Sequence, residues 1–287
     1  MARRSVITLT TDFGLVDHFV GVMKGVILNI NPEVEFVDLS HQVAAYDIFD
    51  GAFLIAQSYR YFPPGTVHLV VVDPGVGSNR RPILATTGRH KFVAPDNGVL
   101  SFIYESEPSC EVRHITAARY FLKPVSNTFH GRDIFSPVAG WLSKGVEVAR
   151  FGELIADYVR LAVPKPRRSP GGTVTGALLK VDNFGNLITN LTSQDVPELL
   201  SESPPAFTIT INQQTATSLS TSYSSGKPSE LFAIMGSSGY LEICTNRDSA
   251  ARVLNASRGG QVKLMFEPSG LGNQDSRSDP GTAPTSS

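Results

Sequence analysis

Several short stretches of this sequence carry residues whose types and spacing could do chemistry. Val70-Val71-Val72 runs into Asp73-Pro74-Gly75-Val76-Gly77-Ser78-Asn79-Arg80-Arg81. A buried strand there delivers a carboxylate, two glycines let backbone approach a ligand, and Arg80 is placed to fold back onto Asp73. The plain alternative is a tight turn with a surface Arg pair. It is not a Walker loop, because Gly-Lys-Ser/Thr is missing. Asn127-Thr128-Phe129-His130-Gly131-Arg132-Asp133-Ile134-Phe135 sets a His in a loop beside Gly, with charges able to orient it. The other His residues lack metal-ligand spacing, which argues against a zinc centre. Thr11-Asp12-Phe13-Gly14 puts Asp12 at a strand-to-loop junction. Its two oxygens can accept from a sugar diol, or it can be an ordinary turn or capping residue. The Asp-Phe-Gly within it is not a kinase element, since no Gly-rich loop, strand Lys or His-Arg-Asp accompanies it. Further on, Asp182-Asn183-Phe184-Gly185-Asn186 and Gly236-Ser237-Ser238-Gly239-Tyr240-Leu241-Glu242 offer amides and aromatics that could read and stack on a purine. The same Asn-Gly and Ser-Gly pairs also make hairpin turns.

The elements that must position these residues alternate in the first half of the chain. Strands are expected over Ser5 to Thr10, Val34 to Leu39 and Val67 to Val72, the last a continuous apolar run buried on both faces. Shorter strands follow at Ile83 to Thr86 and Lys91 to Ala94. Helices are expected from about Asp17 to Asn29, Asp47 to Phe62 and Gly98 to Glu105, and from near Ile134 through Trp141. This alternation predicts an α/β N-terminal domain, residues 1–163, with a mostly parallel sheet. Ligands of such sheets sit at the carboxyl ends of strands, where Asp12 and Asp73 fall. Residues 164–171 read as a linker by their Pro, Arg and Ser content. From 172 to 267 the β-branched runs Thr173 to Val181, Phe207 to Ile211, Glu230 to Met235, Tyr240 to Thr245 and Gln261 to Phe266 predict a smaller β-barrel-like domain. The tail 268–287 is almost devoid of apolar residues and is expected to be disordered.

Composition sets the outer limits. Of 287 residues, 41% are hydrophobic and 18% charged, enough apolar surface for real cores and too much for a disordered chain. Lys and Arg number 25 against 26 Asp and Glu, so nothing marks a nucleic-acid or anionic-membrane partner. No apolar run approaches membrane-spanning length. With only 2 cysteines, Cys110 and Cys244, a disulfide framework is excluded and a cytoplasmic location is expected.

Six segments in order, Thr-Asp-Phe-Gly, Val-Asp-Pro-Gly-Val-Gly, Ala94-Pro95-Asp96-Asn97-Gly98, Phe-His-Gly-Arg-Asp, Asp-Asn-Phe-Gly-Asn and Ser-Ser-Gly-Tyr-Leu-Glu-Ile, resemble those of the S-adenosyl-L-methionine hydroxide adenosyltransferases, water-using relatives of the fluorinase and chlorinase. The resemblance spans Val6 to Phe266. It implies hydrolysis of S-adenosyl-L-methionine to adenosine and L-methionine, by water attacking ribose C5′, with Asp73, Arg80 and His130 as the water-activating triad. Further roles it implies are Asp12 on the ribose hydroxyls, Asp17, Asp182 and Ser237 on the methionine end, Phe184 and Asn186 on the adenine, and Asn246 and Arg247 meeting the adenine through backbone. Where the halogenases have Tyr and a halide-binding Ser, this chain has Asp73 and Gly131, which argues for water. Ser238 stands where the fluorinase has an Arg. The resemblance implies no metal or cofactor, a small-molecule substrate, and a homotrimer with sites at subunit interfaces. A halide-dependent relative, or a non-catalytic nucleoside-binding module, are the alternatives; the module could dispense with Asp73, Arg80 and His130.

Overall fold

The computed structural model describes residues 4–226 and 230–267; the tail 268–287 lies outside them. The chain folds as two units, the first ending at Val163 and the second beginning at Pro164. The first unit contains β1 (Val6–Thr11), α1 (Phe19–Ile30), β2 (Glu35–Ser40), α2 (Ile48–Ser58), β3 (Val67–Val71), β4 (Pro82–Thr86), β5 (Lys91–Pro95), α3 (Ser101–Ser106), β6 (Glu111–His114), α4 (Ser136–Ser143) and β7 (Leu154–Ile155). Its sheet runs β2-β1-β3-β5-β4-β6-β7. β2, β1, β3 and β5 are parallel, and β4, β6 and β7 complete the sheet through antiparallel pairs. The parallel character thus belongs to the half that carries Asp12 and Asp73.

The side chains of β3 explain its unbroken apolar run. Val67, Leu69 and Val71 join Met23 and Ile27 of α1 and Val138 of α4 in one core. Val70 and Val72 join Ile55 of α2 and Ile103 of α3 in another. A strand covered on both faces has no solvent side to mark with polar residues. The exception, His68, is buried with Nδ1 2.8 Å from Thr8 Oγ1 and its ring stacked 4.9 Å from Phe92. Burial, aided by nearby His90, pushes its pKa down to about 3, so the ring is neutral.

Two helices depart from expectation for local reasons. α2 stops at Ser58 and tightens into a 3₁₀ turn over Tyr59–Tyr61, because Phe62 precedes Pro63 and is extended at φ −92°, ψ 154°. The helix expected from Ile134 begins as a π turn over Gly131–Phe135 before α4. Pro137 has no N–H to offer the Asp133 carbonyl four residues back, and that carbonyl instead accepts the Leu122 N–H at 2.9 Å.

The second unit contains β8 (Arg167–Arg168), β9 (Val174–Val181), β10 (Leu187–Thr192), β11 (Phe207–Ile211), β12 (Gln214–Ala216), β13 (Leu219–Ser220), β14 (Leu231–Met235), β15 (Tyr240–Thr245), α5 (Ala250–Val253) and β16 (Gln261–Phe266). Its sheet runs β12-β11-β16-β9-β10-β15-β14-β13, with β8 paired to β9. It curls so that Ala216 of β12 and Ala233 of β14 share one core, the barrel-like form expected. The five anticipated strands are β9, β11, β14, β15 and β16. β8, β10, β12 and β13 are additional to these, and Arg167 of β8, which pairs with Thr175, lies inside the stretch that composition reads as linker.

Candidate active site

β1 and β3 are neighbours, Thr11 lying opposite Val71, whereas the strand that follows β1 in sequence sits on its other side. Their carboxyl ends therefore open at the point where strand order reverses, the usual ligand position in such sheets. Asp73 emerges there. The following loop closes through Val76 N–H to the Asp73 carbonyl and Ser78 N–H to the Gly75 carbonyl, at 3.2 and 3.1 Å. Gly77 has φ +77°, and a Cβ on it would lie 2.2 Å from the Asn127 carbonyl oxygen, so only glycine fits. The turn returns Arg80 onto Asp73: Nε donates to Oδ1 at 2.8 Å and Nη2 to Oδ2. Both side chains are nearly enclosed, 8% and 5% exposed. Nη2 also lies 2.7 Å from His130 Nδ1. A guanidinium only donates, so Nδ1 is the acceptor and the proton of the neutral ring sits on Nε2. Burial and then Arg80 lower the His130 pKa, against the opposing pull of Asp73, Asp133 and the Ser126 carbonyl. The ring is accordingly neutral near pH 7, and its Nε2–H is a donor.

Asp73 and His130 border a cavity of about 120 Å³ whose other walls include Phe13, Phe19, Val71, Val76 and Phe129, with Arg80 behind them. The three Phe rings meet in tilted and edge-on contacts, 5.2 to 6.0 Å between centroids. Gly131 lies in the same wall, and a Cβ there would sit 3.0 Å from the Phe129 ring and 3.3 Å from Met23 Sδ. The arrangement is a small apolar space with one carboxylate edge. After the guanidinium fork, each Asp73 oxygen keeps a lone pair that can accept from a small nucleophile.

Asp12 follows β1, and its Oδ2 accepts the Tyr46 N–H at 2.9 Å. Tyr46 was missed by sequence reasoning. It is exposed at φ +66° beside the Asp12 carboxylate, and its only sequence signal is an aromatic just before the Asp47 that caps α2. Asp17 is exposed ahead of α1. The Asp96-Asn97-Gly98 segment is structural: Asp96 receives Arg81 and the Val159 N–H, and the Asn97 amide donates to the Val72 carbonyl. Asp133 likewise holds Arg132 and the Ser126 N–H.

In the second unit, Asp182, Phe184, Asn186, Asn246 and Arg247 gather around a pocket of about 530 Å³. Asp182 Oδ1 accepts the N–H groups of Phe184 and Asn186, both at 2.8 Å, and Oδ2 accepts Asn186 Nδ2 at 2.9 Å. This fixes the Asn186 amide with its oxygen left to accept. Gly185, at φ +86°, packs where a Cβ would lie 2.1 Å from Ser249 Oγ. Phe184 is 78% exposed, a free aromatic face at the rim. Asn246 Nδ2 donates to the Gly226 carbonyl at 2.6 Å, so its side chain secures the pocket wall. Tyr223, another lining residue that sequence reasoning missed, donates its hydroxyl to the buried Glu242 at 2.9 Å. Burial, reinforced by Asp182, raises the Glu242 pKa. Ser237 sits exposed in the β14–β15 turn, outside the residues lining this pocket.

Among the described residues, no group of three or more His, Cys, Asp or Glu is placed to hold a metal ion, and no helix is long and apolar enough to cross a membrane. Family models for the SAM hydroxide adenosyltransferase N-terminal and C-terminal domains match residues 7–152 and 176–263. An (R)-S-adenosyl-L-methionine hydrolase of Salinispora tropica is 35% identical over 267 residues, covering 92% of this chain and 99% of that protein. One from Methanocaldococcus jannaschii is 32% identical over 276 residues, covering 91% and 96%. A fluorinase of Nocardia brasiliensis is more distant, 24% identical over 291 residues, with coverage of 91% and 97%. The crystal structure of a conserved protein from Thermotoga maritima superposes with a TM-score of 0.84 at 35% identity, covering 90% of this chain and 99% of that one. Matched through both of its units and along nearly its whole described length, the chain belongs to the SAM hydroxide adenosyltransferase family.

Proposed function

We propose that the protein hydrolyses S-adenosyl-L-methionine to adenosine and L-methionine. The observation that carries this reading is the Asp73–Arg80–His130 constellation on a small apolar cavity. A water held there donates to Asp73 and accepts from His130 Nε2–H. Its oxygen attacks C5′ in line with sulfur, the C5′–S bond breaks, and the sulfur keeps the electron pair as a neutral thioether. The proton that the water donates to Asp73 passes on to solvent, and its other proton stays on the 5′-hydroxyl. Attack by hydroxide-like water on a sulfonium cancels opposite charges, so dry aromatic walls favour the transition state over separately solvated ions. No general acid is needed for such a leaving group, and we propose that no metal or cofactor takes part.

Asp12 is assigned to the ribose hydroxyls, Phe184 and Asn186 to the adenine with the backbone of Asn246 and Arg247, and Asp17, Asp182 and Ser237 to the methionine end. Gly131 keeps the cavity wall free of a halide-binding hydroxyl. The water-activating and adenine-side residues lie in different units, which supports a homotrimer with each site at a subunit interface. Mixing Asp73→Ala chains with Asn186→Ala chains should then rebuild roughly a quarter of such sites intact, so activity at low substrate should rise above that of either variant alone. The free thiols of Cys110 and Cys244 suit a cytoplasmic setting.

Turnover in oxygen-18 water tests the function. Label should enter the adenosine 5′-hydroxyl. Label in methionine, or absence of turnover, would overturn the reading, and chloride-dependent 5′-chloro-5′-deoxyadenosine would assign the chain to the halide-using branch.

A further inference from the structure

The end of β1 is weakly held by the sheet on its β2 side. The register slips between Leu9 and Thr10, and the pairing runs out at Thr10 opposite Ser40. Asp12 lies just beyond, where an extended ladder cannot fix it. The segment 41–46 takes over. The His41 carbonyl accepts the Gly14 N–H at 2.7 Å, and Val43 N–H reaches the Thr11 carbonyl at 3.3 Å. Tyr46 N–H binds the Asp12 carboxylate itself.

A side-chain relay crosses the same junction. Phe13 N–H donates to Thr11 Oγ1 at 3.3 Å, and Thr11 Oγ1 lies 2.9 Å from His41 Nδ1. His41 Nε2 stands 3.0 Å from Asp38 Oδ1, a close contact too bent to count as a hydrogen bond, and Lys24 Nζ reaches Asp38 Oδ2 at 2.6 Å. The bonds run in one direction. A bare Nε2 lone pair would face the Asp38 carboxylate at 3.0 Å, so the ring proton of neutral His41 belongs on Nε2, and Nδ1 is left to accept from the Thr11 hydroxyl. Thr11 and His41 are buried, while Asp38 opens to solvent at 39% side-chain exposure. Thr11 is therefore bonded directly to the imidazole and Phe13 reaches it through the Thr11 hydroxyl, so both flanks of Asp12 connect to one ring whose far side lies 3.0 Å from a carboxylate.

We propose that His41 is a positioning residue that fixes the Asp12 carboxylate for the ribose diol, acting through Thr11 and the loop backbone. The inference rests on the assignment of Asp12 to the ribose. A core histidine that merely filled space would need neither polar neighbour on its ring nor a link to both flanks of one half-buried carboxylate.

The test is the diol preference, measured by calorimetry as the ratio of Kd for 2′,3′-dideoxyadenosine to Kd for adenosine. A paired charge-assisted contact predicts a wild-type ratio of about 10 to 100. His41→Gln and Thr11→Val should each lower that ratio about tenfold or to its floor of one, leaving dideoxyadenosine affinity unchanged. Asp12→Ala should abolish the preference, and His41→Gln added to it should change nothing more. If His41→Gln does not fold, Asp38→Asn, on the exposed arm, should show a smaller loss in the same sense. An unchanged ratio in the folded variants, or parallel weakening of both ligands, overturns the positioning role. A wild-type protein that prefers the diol through His41 yet shows no turnover supports the positioning role and overturns the hydrolase reading. Equal binding of both nucleosides by the wild type overturns the ribose assignment and the positioning role together, and turnover then judges the hydrolase reading separately.

Discussion

The cavity at the end of β3 and the pocket beside β10 and β15 are both built on turns, yet their polar groups are fixed in different ways. Asp73, Arg80 and His130 are locked to one another by charge-assisted bonds, and Asp73 and His130 face an aromatic-walled cavity of about 120 Å³. Asp182 and Asn186 are held by turn backbone, and the pocket of about 530 Å³ keeps an exposed aromatic at its rim. A locked, dry cluster suits a group that must act on a small nucleophile at one angle. An open pocket with a fixed amide suits recognition of a planar ligand. Substitutions in the first should damage rate, and in the second affinity.

The largest expected effect is on rate. Asp73→Asn keeps the shape and removes the carboxylate, and should lower kcat by about 10² to 10⁴-fold with little change in KM. Steady-state kinetics that showed near-normal kcat would erase the contrast between the cavities. Arg80→Lys should fall in the same direction, since an ammonium cannot span Asp73 and His130 with a planar fork.

A second effect separates the units by pH. His68 has its folded pKa depressed from 6.5 to about 3, so the stability tied to its neutral form is present above pH 6.5 and lost as pH falls toward 3. The full loss is on the order of 5 kcal/mol. Urea titrations from pH 7 to pH 4 should show the decline in the wild type and a flatter profile in His68→Gln; identical profiles would discard this account. Next in size, Asn186→Ala should weaken adenosine binding about tenfold while leaving kcat at saturation within a few-fold. A collapse of kcat instead would make the amide part of the chemistry.

The smallest effect has the opposite pH sign. Glu242 has a raised pKa, so its stability contribution is present at low pH and lost as pH rises through that raised value. Glu242→Gln still accepts the Tyr223 hydroxyl and cannot ionise. It should gain at most about 1 kcal/mol at pH 8, relative to its difference from wild type at pH 4. Thermal melts at the two pH values would read it, and no pH-dependent difference would remove Glu242 from the comparison.

Much of this arrangement was legible in the sequence because the residues concerned leave periodic or compositional marks. The apolar run of β3 announced a strand covered on both faces, and the glycines after Asp73 announced a loop able to return Arg80. β10 left no such mark. Its residues are buried on both faces, but Thr189 and Asn190 interrupt the apolar pattern. They are tolerated only because Thr189 Oγ1 reaches the Leu241 carbonyl, and Asn190 joins the Ala177 N–H to the Pro164 carbonyl, partners set by tertiary pairing. Tyr46 and Tyr223 were hidden for a similar reason: each matters through a contact with a carboxylate distant in sequence, Asp12 or Glu242. The ion-paired Asp96 and Asp133, by contrast, sit in segments as distinctive as those of the triad while serving the framework. Spacing alone does not separate a carboxylate that faces a cavity from one that is saturated by its neighbours.

The fit of Gly77 against the Asn127 carbonyl also bears on how this protein can be re-engineered. The loop that carries Asp73 and the loop that carries His130 come from separate parts of the chain but interlock with no room for even a methyl group. They behave as one graftable cassette. Transplanting either loop alone from a relative with another nucleophile would bring a mismatched surface to that contact, displacing Arg80 before any change in chemistry could be read. Exchange of both loops together keeps the contact matched, and so is the smallest replacement in which a new nucleophile could be selected.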